Sequence, residues 1–140
     1  MSELSNPRTD KTCNGAVALP ISESFRESTT VVMFSPPFHA AIGRTISIQL
    51  TAEMFDPSAN PALGTVGVNV NQCCDVLDSK VSDQVVGAIG PNGSPQTTTT
   101  SVTLTDECTL STHVNGDCVY YLRLKIASSL EQVLLSYSIS

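Results

Sequence analysis

From Val119 to the last residue the chain alternates apolar and polar positions almost without a break. The runs are Val119-Tyr120-Tyr121-Leu122-Arg123-Leu124-Lys125-Ile126 and Glu131-Gln132-Val133-Leu134-Leu135-Ser136-Tyr137-Ser138-Ile139-Ser140. Side chains on a β-strand point to opposite faces in turn, so this period of two predicts two long antiparallel strands, each with one face on a core. Shorter runs upstream carry the same signature and are bounded by Gly, Pro, Asn, Asp or Ser. They predict strands at Ala16–Ile21, Thr29–Phe34, Arg44–Phe55, Thr65–Asn71, Gln84–Ile89 and Gln96–Thr105. Within Arg44–Phe55, residues Ile46, Ile48, Leu50, Ala52 and Met54 share one face, as do Val66, Val68 and Val70 in the next run. Gly90-Pro91-Asn92-Gly93-Ser94-Pro95 is a strong loop signal, since its glycines permit positive φ and its prolines remove ladder donors. Helical character is confined to Val76–Val81, enough for a turn or two.

About eight short strands in one chain predict an all-β fold, an antiparallel β-sandwich of jelly-roll-like form with two sheets about 10 Å apart. An immunoglobulin-like sandwich is the weaker expectation, because it would bring a core Trp, and the chain has none. Residues 1–15, MSELSNPRTDKTCNG, show neither periodicity and are read as an extended N-terminal arm lying on a partner, the alternative being an arm folded back on its own domain, followed by one β-sandwich domain over residues 16–140.

Charged residues make up only 14% of the chain, which suits hydroxyl-rich sheet faces. A net charge of −6, with seven scattered basic residues, opposes binding to a phosphate backbone, so no nucleic-acid partner is expected. No apolar run approaches the roughly 20 residues of a membrane span, and the N-terminus lacks the layout of a secretory signal. A soluble chain made in the cytoplasm is expected, with no membrane partner. The five cysteines, Cys13, Cys73, Cys74, Cys108 and Cys118, are an odd number. Cys108 and Cys118 could face each other across a loop, but a cytosolic origin predicts reduced, buried thiols rather than a disulfide framework.

Candidate chemistry is sparse. His39 and His113 lie far apart among loop-like residues, and no Gly-x-Ser-x-Gly elbow marks a nucleophile, so no catalytic residue is assigned and no enzyme is expected. Cys73-Cys74 lacks the two-to-four-residue spacing of structural zinc ligands, and Asp75, Asp78 and Asp83 do not form a calcium loop, so neither metal nor cofactor is expected. Asn92-Gly93-Ser94 matches a glycosylation acceptor but reads as a turn. The residues most suited to a partner are the arm cations Arg8 and Lys11 and the proline-stiffened Pro36-Pro37-Phe38, whose aromatic ring would either dock at little entropic cost or plug one end of the sandwich. Thr97–Thr100 places hydroxyls on both faces of a strand, where they could pair across a subunit interface or simply remain wet.

In layout, the short acidic chain, the polar arm Met1–Gly15 and the β-sandwich from Ala16 to Ser140 resemble the small decoration, or cement, proteins that coat the heads of tailed bacteriophages. The resemblance implies a non-enzymatic structural protein on the capsid surface of a virion. It also implies binding to and reinforcement of the major capsid protein, by a homotrimer whose terminal arm grips the shell. The alternatives are a carbohydrate-binding or receptor-binding jelly-roll module, and a phage tail or baseplate component.

Overall fold

A computed structural model describes residues 4, 6–28, 31–60, 64–128 and 132–140. Eleven strands run through it: β1 (Ile21–Ser28), β2 (Val31–Phe34), β3 (Phe38–Ala40), β4 (Thr45–Met54), β5 (Gly64–Gln72), β6 (Ser79–Lys80), β7 (Val85–Ala88), β8 (Gln96–Thr103), β9 (His113–Val114), β10 (Asp117–Ser128) and β11 (Gln132–Ile139). One sheet has the order β1-β11-β4-β8, and the other β2-β10-β5-β6, with β3 and β9 also on β10 and β7 also on β5. Every ladder between these strands is antiparallel.

β2 and β3 are two segments of one broken strand along β10, and β6 and β7 are two segments along β5. The first body strand then lies beside the last, and the second beside the penultimate, with the chain crossing between sheets at most turns. This interleaving is the jelly roll. The alternation in the sequence explains it directly. Ile46, Ile48, Leu50, Ala52 and Met54 of β4 are all buried, and they face Val66, Val68 and Val70 of β5 and Leu122, Leu124 and Ile126 of β10 across one core.

Three expected elements are corrected. Residues 16–20 are not a strand. The first strand begins at Ile21, and its pattern was hidden because Glu23 occupies a core-side position between Ile21 and Phe25. Arg8 Nη1 donates to both Glu23 oxygens at 2.7 and 2.9 Å, and the Tyr137 hydroxyl donates to the same carboxylate, so the half-buried charge is paired. Val76–Val81 contains no helix; it is a bend leading into β6. The expected loop at Phe38 is instead β3, and Phe38 is fully buried beside Tyr120.

The cysteines overturn the expectation of reduced thiols. Cys13 is bonded to Cys73 and Cys74 to Cys108, leaving Cys118 free and buried. Cys73 and Cys74 follow β5 directly. Neighbouring residues in extended chain point to opposite sides, so the two thiols cannot serve one partner and each captures a different segment.

The arm from residue 6 to residue 15 is tied to this domain, while residues 1–3 and 5 of the expected arm lie outside the described residues. The Phe34 amide donates to the Arg8 carbonyl at 2.9 Å, and Val17 exchanges backbone hydrogen bonds with Pro37 and His39. These bonds run along the β2–β3 side of the seven-stranded sheet and occupy an edge that would otherwise invite another chain. On the outer face of that sheet Cys73, Val119 and Tyr121 form a second buried cluster, covered in part by Cys13 and Ala16.

Candidate partner-binding surface

The loops between β3 and β4, between β5 and β7, and between β8 and β10 gather at one end of the sandwich, together with arm residues 11–13. β5 ends at Gln72, whose buried side chain donates to Asp106 (2.9 Å) and accepts from the Glu107 amide (2.7 Å). One residue later Cys73 holds the arm, and the next, Cys74, holds Cys108. Asp78 accepts from the Cys74 amide, from the Tyr121 hydroxyl (2.9 Å) and from Lys11. Burial pushes its carboxyl up, but these hydrogen bonds and the Lys11 charge outweigh it and hold the group below the usual carboxylate range. Asp75 donates its amide to the Leu110 carbonyl and accepts from the Thr112 hydroxyl. The Gly43 amide donates to the Leu104 carbonyl, tying in the β3–β4 turn. Beyond these loops, Asn115 and Gly116 both have positive φ, as a tight two-residue hairpin between β9 and β10 requires.

The braced end presents apolar side chains to solvent. Val76 is 88% exposed, Leu77 81% and Leu110 59%, and they line a concavity of about 390 Å³ together with Cys74, Ser79, Glu107 and Thr109. Single exposed apolar residues are ordinary on a protein surface; three beside one hollow, on loops cross-linked by a disulfide, are a built surface. Loops fixed in this way lose little conformational entropy on docking.

The residues expected to contact a partner are placed elsewhere. Arg8 is bound to Glu23 and Lys11 to Asp78, so both arm cations serve the fold. Phe38 and Pro37 are buried and Pro36 is half-buried, so this segment fills the sandwich and offers no ring to a partner. The signal that could have found the surface is Val76-Leu77 itself, an apolar pair between Cys73-Cys74-Asp75 and Asp78-Ser79, with no strand to bury it.

Among the described residues the acidic candidates do not converge on one point. Asp75, Asp78 and Asp83 diverge to Thr112, Lys11 and Lys80. Among the described residues, the group with metal-ligand spacing is Cys13, Cys73 and Asp78, but its two sulfurs are bonded to each other. Burial pushes the free Cys118 thiol up, and the nearby Asp106 charge adds to this, the opposite of what a thiolate nucleophile needs. His39 is paired with Asp117 at 2.9 Å.

A second concavity, of about 210 Å³, lies on the outer face of the four-stranded sheet, lined by Ser24, Thr51, Glu53, Pro95, Leu134 and Ser136 among others. Aromatic side chains are scarce on this surface. Of the seven in the chain, Phe55 is the one exposed, and the Arg26 guanidinium lies 4.7 Å over its ring.

No family model matches the chain, and no curated protein matches it in sequence. A solved structure described as "CBM4 structure and function" aligns over 79% of this chain and 79% of its own length, with 12% identity and a TM-score of 0.41. A likeness this loose carries no assignment.

Proposed function

We propose that this chain is a non-catalytic binding module that docks on a protein surface through its disulfide-braced loop end. The observation that carries the reading is the exposure of Val76, Leu77 and Leu110 on loops held by Cys74–Cys108. Burying one such side chain contributes roughly 1.5–3 kcal/mol, and rigid loops forfeit little of it. Disulfides persist at oxidising locations, including virion and cell surfaces, so the two cross-links favour a chain that works exposed to that environment. The surface of an assembled viral shell, capped by a decoration protein, is a partner of this kind. Jelly rolls also occur in lectin domains, so the fold alone does not select among them.

A photo-crosslinking residue at position 77, with position 99 as control, tests the reading on the intact particle or extracellular material of the source. A discrete protein adduct from position 77 alone is expected. Equal labelling from both positions, or none, would overturn it.

A second reading, a carbohydrate-binding module, is favoured by the hydroxyl-lined concavity at Ser24, Thr51 and Ser136. A glycan array probed with and without calcium separates the two classes, since a protein-docking surface gives no glycan signal.

A further inference from the structure

The outer face of the seven-stranded sheet holds a feature that neither reading uses. Leu122, Leu124 and Ile126 of β10 point into the core, so Arg123 and Lys125 point outward. Register places Arg123 between Phe34 of β2 and Asn69 of β5, and Lys125 between Val32 and Gly67. The ion pairs among the described residues are those of Arg8, Lys11, His39 and Lys80; neither Arg123 nor Lys125 takes part in one. β2, β5 and β7 contain no acidic residue, and the acid of β10, Asp117, is held by His39. Two cations without an ion pair therefore stand on this face of a chain whose net charge is −6, with Asp78, already bound by Tyr121 and Lys11, as the acid toward the loop end.

Amides flank them. Asn69 is only 7% exposed and donates to Asn71 at 2.9 Å. Gly67 has no side chain, and Gln84 uses the space: a Cβ on Gly67 would meet the Gln84 amide nitrogen at 1.9 Å. The Gln84 amide thus sits over Gly67, the register partner of Lys125. Val86, 57% exposed, borders it on β7 opposite Gly67.

We infer that this face is a binding site for an acidic saccharide, one bearing a carboxylate or sulfate among its hydroxyls, with Arg123 and Lys125 taking the anion. A guanidinium fork matches a carboxylate or sulfate with two parallel hydrogen bonds, and a lysine adds a point charge. The exposed Gln84 amide both donates and accepts, which suits paired sugar hydroxyls, while the buried Asn69 amide is held by Asn71. Phe34 and Val86 offer apolar flanks for the C–H faces of a ring. An acidic peptide fits less well, because the cations sit at the centre of the sheet, where no free edge remains for backbone pairing.

The inference is independent of the loop end and concerns the sheet opposite the Ser24–Ser136 concavity. Its test uses the full, disulfide-bonded chain on an array of uronic-acid, sialylated and sulfated oligosaccharides, each beside its neutral counterpart, with poly-glutamate as the peptide arm. Acidic saccharides are expected to bind, more weakly as salt rises. Arg123→Ala should weaken binding at least about tenfold, with Lys125→Ala close behind and Arg123→Lys intermediate, while the melting temperature holds. Absence of acidic-saccharide binding overturns the inference. So does equal binding of poly-glutamate, or a signal indifferent to Arg123→Ala; in the last case loss of the signal in Ser136→Ala would assign it to the concavity on the other sheet.

Discussion

Opening the Cys13–Cys73 bond by the double substitution Cys13→Ala/Cys73→Ala should cost most of what holds the arm. The bond closes a loop with a sequence separation of 60. Loop-closure entropy for that length amounts to about 4 kcal/mol of stabilisation, acting through the unfolded chain. Globular proteins gain about 2.1 cal/mol/K per residue on unfolding, roughly 0.3 kcal/mol/K for a chain of this length, so the midpoint should fall by about 10–15 °C. The arm's remaining ties are the Arg8–Glu23 pair, the Lys11–Asp78 pair and backbone bonds at Phe34, Val17 and His39. These few ties span a short segment without the covalent link, so the arm should also open locally. Thermal unfolding by circular dichroism reads the first effect. Hydrogen exchange reads the second: the Phe34 and His39 amides, which donate to the arm, should exchange faster than global unfolding accounts for, while β4 amides should not. A midpoint shift under about 3 °C with unchanged exchange at Phe34 would refute the view that the disulfide secures the arm.

Tyr120, Tyr121 and Tyr137 all have hydroxyls raised above the ordinary value of 10.0, first by burial, with Tyr121 pushed up to about 12 by its bond to Asp78 as well. Hydroxyls that ionise less readily folded than unfolded give stability that is complete below pH 10.0 and is lost as pH rises above it. Absorbance titration should therefore show no tyrosinate forming near pH 10, and a single early-titrating tyrosine would contradict the packing. Asp78 has the reverse sign: its lowered value contributes stability present above about pH 4 and lost as pH falls below it, so Asp78→Asn should flatten the acid limb of a urea-midpoint profile. Gly90→Ala places a Cβ 2.1 Å from the Ser94 carbonyl oxygen, a backbone atom that cannot swing away. It should destabilise by about 1–3 kcal/mol in chemical denaturation, whereas a neutral result would contradict the tight β7–β8 connection.

The body of the sandwich was legible because its strands bury one side each. β4, β5, β10 and β11 write that fact into the chain as alternation, and the structure places them within a few residues of where the pattern predicts. β1 was illegible because a core-side glutamate, paired by Arg8 and Tyr137 from distant parts of the chain, breaks the alternation at Glu23. β3 was lost for a related reason: Pro36-Pro37 reads as a loop, yet the chain turns back into the ladder at once, and Phe38 enters the core. The disulfides could not be read from cysteine spacing, since the pairings depend on which loops meet at one end of the fold. Arg8 and Lys11 looked like free arm cations because their acidic partners lie 15 and 67 residues away. The exposed Val76-Leu77 pair was visible as residues but not as a surface until Leu110 was placed beside it.

The most direct test of the binding surface is the affinity of the triple variant Val76→Ser/Leu77→Ser/Leu110→Ser for the protein captured from position 77, measured by calorimetry beside the unaltered chain. The three side chains are exposed in the free protein, so the melting temperature should not fall, and the loss should appear in binding alone. A drop of at least about 100-fold, equivalent to about 2.7 kcal/mol, is the predicted result; an affinity within about threefold of the unaltered chain would contradict the claim that this end makes the contact.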